Sequence, residues 1–273
     1  MALMSSVVWG SSDFIGGLVS RRLPAYVVVA TSQAAGLAAV TVAVVATGGF
    51  GDTPDWVLSA AIAGASGAAG LVMFYTALAT GTMGIVSPIA ALGVLVPVAA
   101  GFSRGDTPSA VTTTGIAVAL AGAVCASGPE LRGTTGSKPV VLAVLAAVSF
   151  GIALLFLAQG AQENPLMCLW GMRATSVAVL AVSVLVLAGG SRLIMPVGEV
   201  RLIVVAGVGD ATANMLFSLA SLRGYLSVVS VLGSLYPVMT VLLARMVLQQ
   251  RLLRAQLVGV VAALGGVVLV SLG

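Results

Sequence analysis

Two segments of the chain decide the fold: AGASGAAGLVMFYTALATGTMGIVSPIAAL, residues 63–92, and AGVGDATANMLFSLASLRGYLSVVSVLGSL, residues 206–235. Aligned without gaps, they are identical at nine of thirty positions, whereas the composition of the chain alone predicts roughly three identities. A second pair, GIAVALAGAVCAS at 115–127 and GVVAALGGVVLVS at 259–271, is identical at six of thirteen positions. The sequence therefore predicts two copies of one structural unit.

The composition is that of an integral membrane protein. Of 273 residues, 59% are hydrophobic and 7% are charged, and the mean hydropathy is +1.16, whereas globular domains carry roughly a quarter charged residues. A helix needs roughly 20 apolar residues to cross the bilayer. The apolar runs are continuous rather than alternating, which favours helices over a barrel. Ten spans are predicted, at 3–20, 25–47, 56–79, 83–103, 109–127, 139–159, 165–188, 200–222, 225–247 and 254–272.

The ten spans divide into two halves at the longest polar linker, GPELRGTTGSK, which begins at Gly128. We expect a first five-helix repeat at 1–128, a linker at 129–138 and a second five-helix repeat at 139–273. Because five is odd, the second repeat enters the membrane in the opposite orientation to the first. Inverted repeats are typical of secondary transporters, in which one half rocks against the other.

Several classes of function lack the residues that they require. The chain has no histidine, and Cys125 and Cys168 each stand alone in an apolar run, so neither a zinc site, a His-dependent triad nor a disulfide framework is predicted. The net charge is +4, but the basic residues lie singly at the ends of runs, which argues against nucleic acid. The expected partners are a small-molecule substrate and the lipid bilayer, with no cofactor, no metal and no enzymatic activity.

Three ionisable residues lie well inside apolar runs: Asp13, Arg173 and Asp210. A charge at the bilayer centre costs at least ~2.5 kcal/mol, so each is expected to face protein or a wet cavity. Asp13 is interpreted either as a carboxylate that binds a substrate amine or a coupling proton, or as half of a structural ion pair with Arg173, or as a side chain near the water interface. Arg173 either holds a substrate carboxylate or neutralises Asp13 or Asp210.

Other polar and helix-breaking residues extend this candidate site. Residues one helical turn apart share a face, so Trp9 accompanies Asp13 and Asn214 accompanies Asp210. Asp13 aligns with Leu154 and Asp210 with Gly67, so neither charge belongs to the repeated scaffold. The predicted substrate-binding or coupling residues are Asp13, Arg173, Asp210, Asn214, Tyr236 and Trp9. Helix breaks are expected at Pro88, Pro97 and Pro237, since proline removes a backbone donor.

Three stretches resemble the EamA family of the drug/metabolite transporter superfamily: VVWGSSDFIGG at 7–17, LASLRGYLSVVSVLGSLYPVMTVLLARM at 219–246, and GVVAALGGVVLVS at 259–271. The resemblance extends over the whole chain as two five-span units. It implies a ten-helix carrier that exports or exchanges small metabolites, amino acids or drugs through a cavity between the halves. Family members often carry an acidic residue after the fourth and ninth spans. Asp106 fits the first place, but Gln250 stands at the second.

Two other functions remain open at this stage. GVGD, Gly207–Asp210, matches the GxGD pattern of intramembrane aspartyl proteases, with Asp13 as the second carboxylate. Ser12 stands where such enzymes usually have a tyrosine before that aspartate. A membrane subunit that transports nothing is the third interpretation, although a passive scaffold has no need of buried charges.

The localisation expected is a plasma membrane, crossed several times, and the Ala/Val/Gly-rich composition is compatible with a bacterial inner membrane. The distribution of charge and the family resemblance imply opposite orientations. By the positive-inside rule both termini lie outside, whereas the resemblance implies cytoplasmic termini. The basic residues on the richer side are Arg21, Arg22, Arg132, Lys138, Arg192, Arg201, Arg251 and Arg254, and those on the other side are Arg104 and Arg223.

Overall fold

The computed structural model describes residues 1–48, 54–81, 83–127, 137–188, 195–248 and 254–272, and within them the chain is all-helical. The α-helices are α1 (Ala2–Val19), α2 (Ala25–Thr47), α3 (Val57–Thr80), α4 (Met83–Ala91), α5 (Leu95–Ser103), α6 (Ala110–Ser127), α7 (Ser137–Glu163), α8 (Pro165–Ala188), α9 (Val197–Ser221), α10 (Leu226–Gly233), α11 (Tyr236–Leu248) and α12 (Arg254–Leu272). Short 3-10 turns cover Pro54–Trp56 and Leu92–Val94. Residues 128–136 of the linker region and Gln250 lie outside the described residues, and α7 begins at Ser137, inside the predicted linker.

Helix length and apolarity make this a multi-pass membrane protein. Among the described residues, six helices are long and apolar enough to cross a membrane: α1, α2, α3 with the turn before it, α7, α8 and α9. Four shorter apolar segments, Ile89–Ser103, Ala110–Gly122, Leu226–Thr240 and Leu257–Val270, coincide with the other four predicted spans. Many apolar side chains stay on the outer surface, such as Val42 and Leu58, each 70% exposed. Such a surface requires lipid rather than water around it.

The fourth and ninth predicted spans are each broken in the middle. The 3-10 turn Leu92–Val94 separates α4 from α5, and residues 234–235 separate α10 from α11. Pro97 and Pro237 lie in the first turn of the helix that follows each break, where a missing backbone N–H costs little. Helix α4 continues through Pro88, because a transmembrane helix tolerates the loss of one backbone hydrogen bond. The break therefore follows Pro88 rather than coinciding with it.

Glycines let the helices approach closely, and these contacts occur at matching positions of the two aligned halves. A methyl group on Gly64 of α3 would overlap the backbone oxygen of Met172 in α8. At the aligned position in α9, a methyl group on Gly207 would overlap the backbone oxygen of Ser32 in α2. Small residues of this kind drive helix packing in membranes, where apolar side chains gain nothing from leaving lipid. The same structural role therefore belongs to the same repeated glycine.

Helices α6 and α12, which contain the second pair of similar sequences, pack against each other in antiparallel directions. A methyl group on Gly122 would overlap the backbone of Ala263, and one on Gly266 would overlap the backbone of Ala119. Because Gly122 aligns with Gly266 and Ala119 with Ala263, these two contacts are equivalent. The two similar segments meet here through positions that correspond in the alignment.

Candidate substrate site

A cavity lies at the level of the two helix breaks and is bounded by segments from both halves of the chain. It holds about 700 Å³ of empty space, counting the part that continues into solvent. Three charged side chains, several small residues and three aromatic rings line it. The lining residues are Trp9, Asp13, Gln33, Gly67, Leu71, Ala90, Ala91, Val94, Phe150, Ala153, Leu154, Met172, Arg173, Asp210, Asn214, Gly233, Ser234 and Tyr236.

Asp210 is the centre of the polar network. Its Oδ2 accepts hydrogen bonds from Arg173 Nη1 at 2.7 Å and from Gln33 Nε2 at 3.2 Å. Its Oδ1 accepts from Trp9 Nε1 at 3.0 Å and from Asn214 Nδ2 at 3.2 Å. The carboxylate thus ties together α1, α2, α8 and α9, and its charge is matched by a cation at contact distance.

Arg173 is completely buried, with 0% of its surface exposed. Its Nη1 donates to Gln33 Oε1 as well as to Asp210 Oδ2, while Nε and Nη2 have no hydrogen-bond partner. Of the two carboxylates that were candidates to neutralise this arginine, the structure brings Asp210 to it. A buried charge requires such a partner because water is excluded from it.

Asp13 lines the same cavity without a cation beside it. The ion pairs among the described residues are Arg173–Asp210 and Arg22–Glu199, and the second of these lies on the protein surface. Asp13 accepts a hydrogen bond from the hydroxyl of Tyr75 at 3.4 Å, a long contact from a neutral donor. The residue is 9% exposed. The cavity therefore contains one carboxyl group that forms no ion pair with any described side chain.

Tyr236 stands at the break between α10 and α11. Its hydroxyl is buried and has no hydrogen-bond partner, and its ring meets the ring of Phe74 edge-on with 6.4 Å between centroids. A buried hydroxyl without a partner costs free energy unless something else supplies the bond. Tyr236 therefore lines the cavity with a hydroxyl that is buried and unpaired in this conformation.

The structure adds site residues that the sequence argument did not identify. Gln33 holds Arg173 and Asp210 in one network, and Tyr75 holds Asp13. Gln33 is the only carboxamide in the second predicted span, which is a signal that could have identified it. Tyr75 and the apolar lining residue Phe150 carry no comparable signal, since aromatic residues are common in apolar runs.

The network does not favour proteolysis. An aspartyl protease needs two carboxylates that share a proton and activate water. Here Arg173, Gln33, Trp9 and Asn214 occupy both oxygens of Asp210. Four donors thus engage the oxygens of Asp210, and among its hydrogen bonds none is to Asp13.

A multi-pass helical membrane protein with a polar cavity between broken helices belongs to the broad class of membrane carriers. Residues 137–272 match the model of the family described as the EamA-like transporter family, and the chain belongs to that family. It is accordingly a membrane transporter of small molecules; the family's members are transporters rather than enzymes.

Comparison with solved structures supports the fold over the whole length. A structure titled "Crystal structure of protein" is 21% identical in sequence, with a TM-score of 0.76, and the match covers 99% of this chain and 95% of that chain. A search of curated proteins gives no match.

Proposed function

We propose that this protein is a secondary transporter in which two inverted five-span repeats, 1–128 and 139–273, move a small metabolite outward or in exchange by alternating access. Small metabolites, amino acids and drugs are the substrates considered. The main support for the proposal is the position of the cavity. It is bordered by the interrupted helices α4–α5 and α10–α11, which lie at corresponding places in the two halves. Discontinuous helices at matching positions mark the binding site of many carriers.

The glycine contacts support the inverted arrangement. Gly10 of α1 lies against the backbone oxygen of Tyr236, and Gly151 of α7 lies against the backbone oxygen of Gly93. In the alignment of 63–92 with 206–235, extended by one residue, Gly93 corresponds to Tyr236. These two contacts between the halves are therefore counterparts of each other, and the antiparallel packing of the similar helices α6 and α12 fits an inverted pair.

Corresponding residues also line the cavity together. In the same alignment, Gly67 corresponds to Asp210, and Leu71 corresponds to Asn214. All four residues border the cavity, as do two further pairs, Ala90 with Gly233 and Ala91 with Ser234. A cavity formed by corresponding residues lies on the axis that relates the two halves. A rocking motion about such an axis exposes the site to one side of the membrane and then to the other.

Asp13 is our candidate for the coupling group. Asp210 is occupied by its ion pair, so Asp13 is the carboxylate that is free to bind a proton or a substrate cation. The titratable and charged groups around it are Tyr75 on α3, Tyr236 on α11, Arg173 on α8 and Asp210 on α9. Proton and substrate would then compete for the same carboxylate as its exposure changes.

The test compares metabolites outside cells that express the wild type, Asp13→Asn or Asp55→Asn at matched protein levels. Asp55 is an exposed residue of the turn Pro54–Trp56 and does not line the cavity, so Asp55→Asn is the matched control. We expect selective accumulation with the wild type and the control, and its loss with Asp13→Asn. Identical metabolite profiles for wild-type and empty cells would contradict outward transport.

A liposome experiment tests the coupling separately. Transport of the identified metabolite should be faster when the proton gradient drives protons in the opposite direction across the membrane. In Asp13→Asn the rate of transport should not depend on the gradient. Transport by the wild type at the same rate with and without the gradient would rule out proton coupling.

The proposed location is a plasma membrane of the bacterial inner-membrane type, with both termini in the cytoplasm as the family resemblance implies. A reporter fused after Gly273 tests this orientation. Reporter activity confined to the outside of the cell would reverse it and would agree with the distribution of basic residues.

A further inference from the structure

We infer that the substrate carries one positive charge next to an apolar body. The inference rests on the proposed transport function, because it concerns the ligand of the same cavity. Two observations support it. The exposed charge in the cavity is that of carboxylates. In two pairs of lining residues that correspond in the alignment, one residue is polar and the other is not.

The two carboxylate residues of the cavity are slightly exposed, whereas its cation is completely buried. The side chain of Asp210 is 13% exposed and that of Arg173 is 1% exposed. Asp13 is 9% exposed as a residue. Arg173 Nη1 is already shared between Gln33 and Asp210, and Nε and Nη2 are buried. A ligand that enters the cavity therefore meets carboxylate oxygens before it meets a guanidinium.

When Asp13 has released its proton, the charge count favours a ligand with one positive charge. Arg173 balances Asp210, so Asp13 supplies the single carboxylate that needs a partner. A monocation would leave the cavity neutral, whereas an anion would add a second unbalanced negative charge where water is scarce. The cost of an unpaired charge in such surroundings is several-fold larger than at a surface.

The two sides of the cavity differ in polarity, because the lining residues that correspond in the alignment are not the same. Asp210 corresponds to Gly67, and Asn214 corresponds to Leu71. Trp9 and Asp13 on α1 add to the polar wall. The other wall is apolar, and its side chains come from α3, α4, the turn after α4, and α7: Leu71, Ala90, Ala91, Val94, Phe150 and Leu154.

A charged group bound at the polar wall places the rest of a small ligand against the apolar wall. A fully polar cation would leave that wall to water, whereas an apolar group there removes its surface from water at roughly 25 cal/mol per Å². The rings of Trp9, Tyr236 and Phe150 also suit a cation, since aromatic faces attract positive charge. The ligand chemistry that fits is a primary or secondary amine on an apolar group.

The experiment measures binding to purified full-length protein in detergent, so it does not depend on transport. The probes share one apolar group and differ in charge: phenethylamine, 2-phenylethanol and 3-phenylpropionate. We expect phenethylamine to bind about tenfold or more tightly than the other two, as a charge-assisted hydrogen bond implies. Asp13→Asn should remove that preference, and Asp55→Asn should keep it. Thermal unfolding without probe shows that each variant is folded.

The possible results separate this inference from the proposed function. Equal or tighter binding of the alcohol or the anion would overturn the substrate class, as would unchanged amine binding by folded Asp13→Asn. Absence of amine binding by a wild type that still exports a metabolite would also overturn the substrate class and leave the transport function intact. Amine binding without any export would support the site and contradict the proposed function.

Discussion

Breaking the buried ion pair between Arg173 and Asp210 should destabilise the protein strongly, and removing both charges should not. Asp210→Asn keeps the shape of the side chain and one acceptor oxygen, but it leaves the guanidinium without a counter-ion. Arg173 is 0% exposed and two of its nitrogens already lack partners, so water cannot compensate. Loss of one partner from a buried pair costs about 3–5 kcal/mol. We expect about 3 kcal/mol, because Asp210 retains some exposure to the cavity.

The assay is thermal unfolding in one detergent at fixed protein concentration. With a shift of about 2–4 °C per kcal/mol for a chain of this size, Asp210→Asn should unfold about 6–12 °C below the wild type. The double variant Arg173→Gln with Asp210→Asn carries neither charge and should unfold within a few degrees of the wild type. A double variant as unstable as the sum of its two single variants would refute this argument, since coupled sites are not additive. The exposed control Asp55→Asn should not shift the midpoint.

Two further predictions concern the contacts that hold the halves together. The variant Gly266→Ala should be about 1–3 kcal/mol less stable than the control Gly265→Ala. A methyl group on Gly266 overlaps the backbone of α6, whereas one on Gly265 meets open space. The gain in helix propensity is the same for both variants. Equal unfolding midpoints would contradict close packing of α6 on α12. Asp106→Ala should cost about 1–2 kcal/mol, since Asp106 Oδ2 accepts from Ser227 N and Oγ, at 2.9 and 2.8 Å, in the first turn of α10. An unchanged unfolding midpoint would mean that the contact between Asp106 and Ser227 does not contribute to the stability of the protein.

The sequence predicts the fold better than it predicts the site, for a physical reason. Membrane spans follow from local apolarity, so the predicted runs coincide with helices and shorter apolar segments of the structure. Asp13 and Asp210 could be recognised as candidate site residues in the same way, because each stands inside an apolar run. Which of them pairs with Arg173 depends on how α8 packs against α1 and α9, and no local pattern contains that. Gln33 carried a local signal, as the only carboxamide of its span, but its contacts with Arg173 and Asp210 form only when α2, α8 and α9 meet.

The differences between the two aligned segments, 63–92 and 206–235, agree with where each residue lies in the structure. Gly64 and Gly207 are three positions from Gly67 and Asp210, and both glycines remain because a side chain there would overlap the backbone of a neighbouring helix. Gly67 and Asp210 face the cavity instead, so the helix packing places no such limit on them. Residues that hold two related halves together must suit both halves at once, whereas a ligand in the cavity between them needs each group only once. Charge can therefore accumulate on one side of the cavity without disturbing the scaffold, and in this chain it has done so at Asp13 and Asp210.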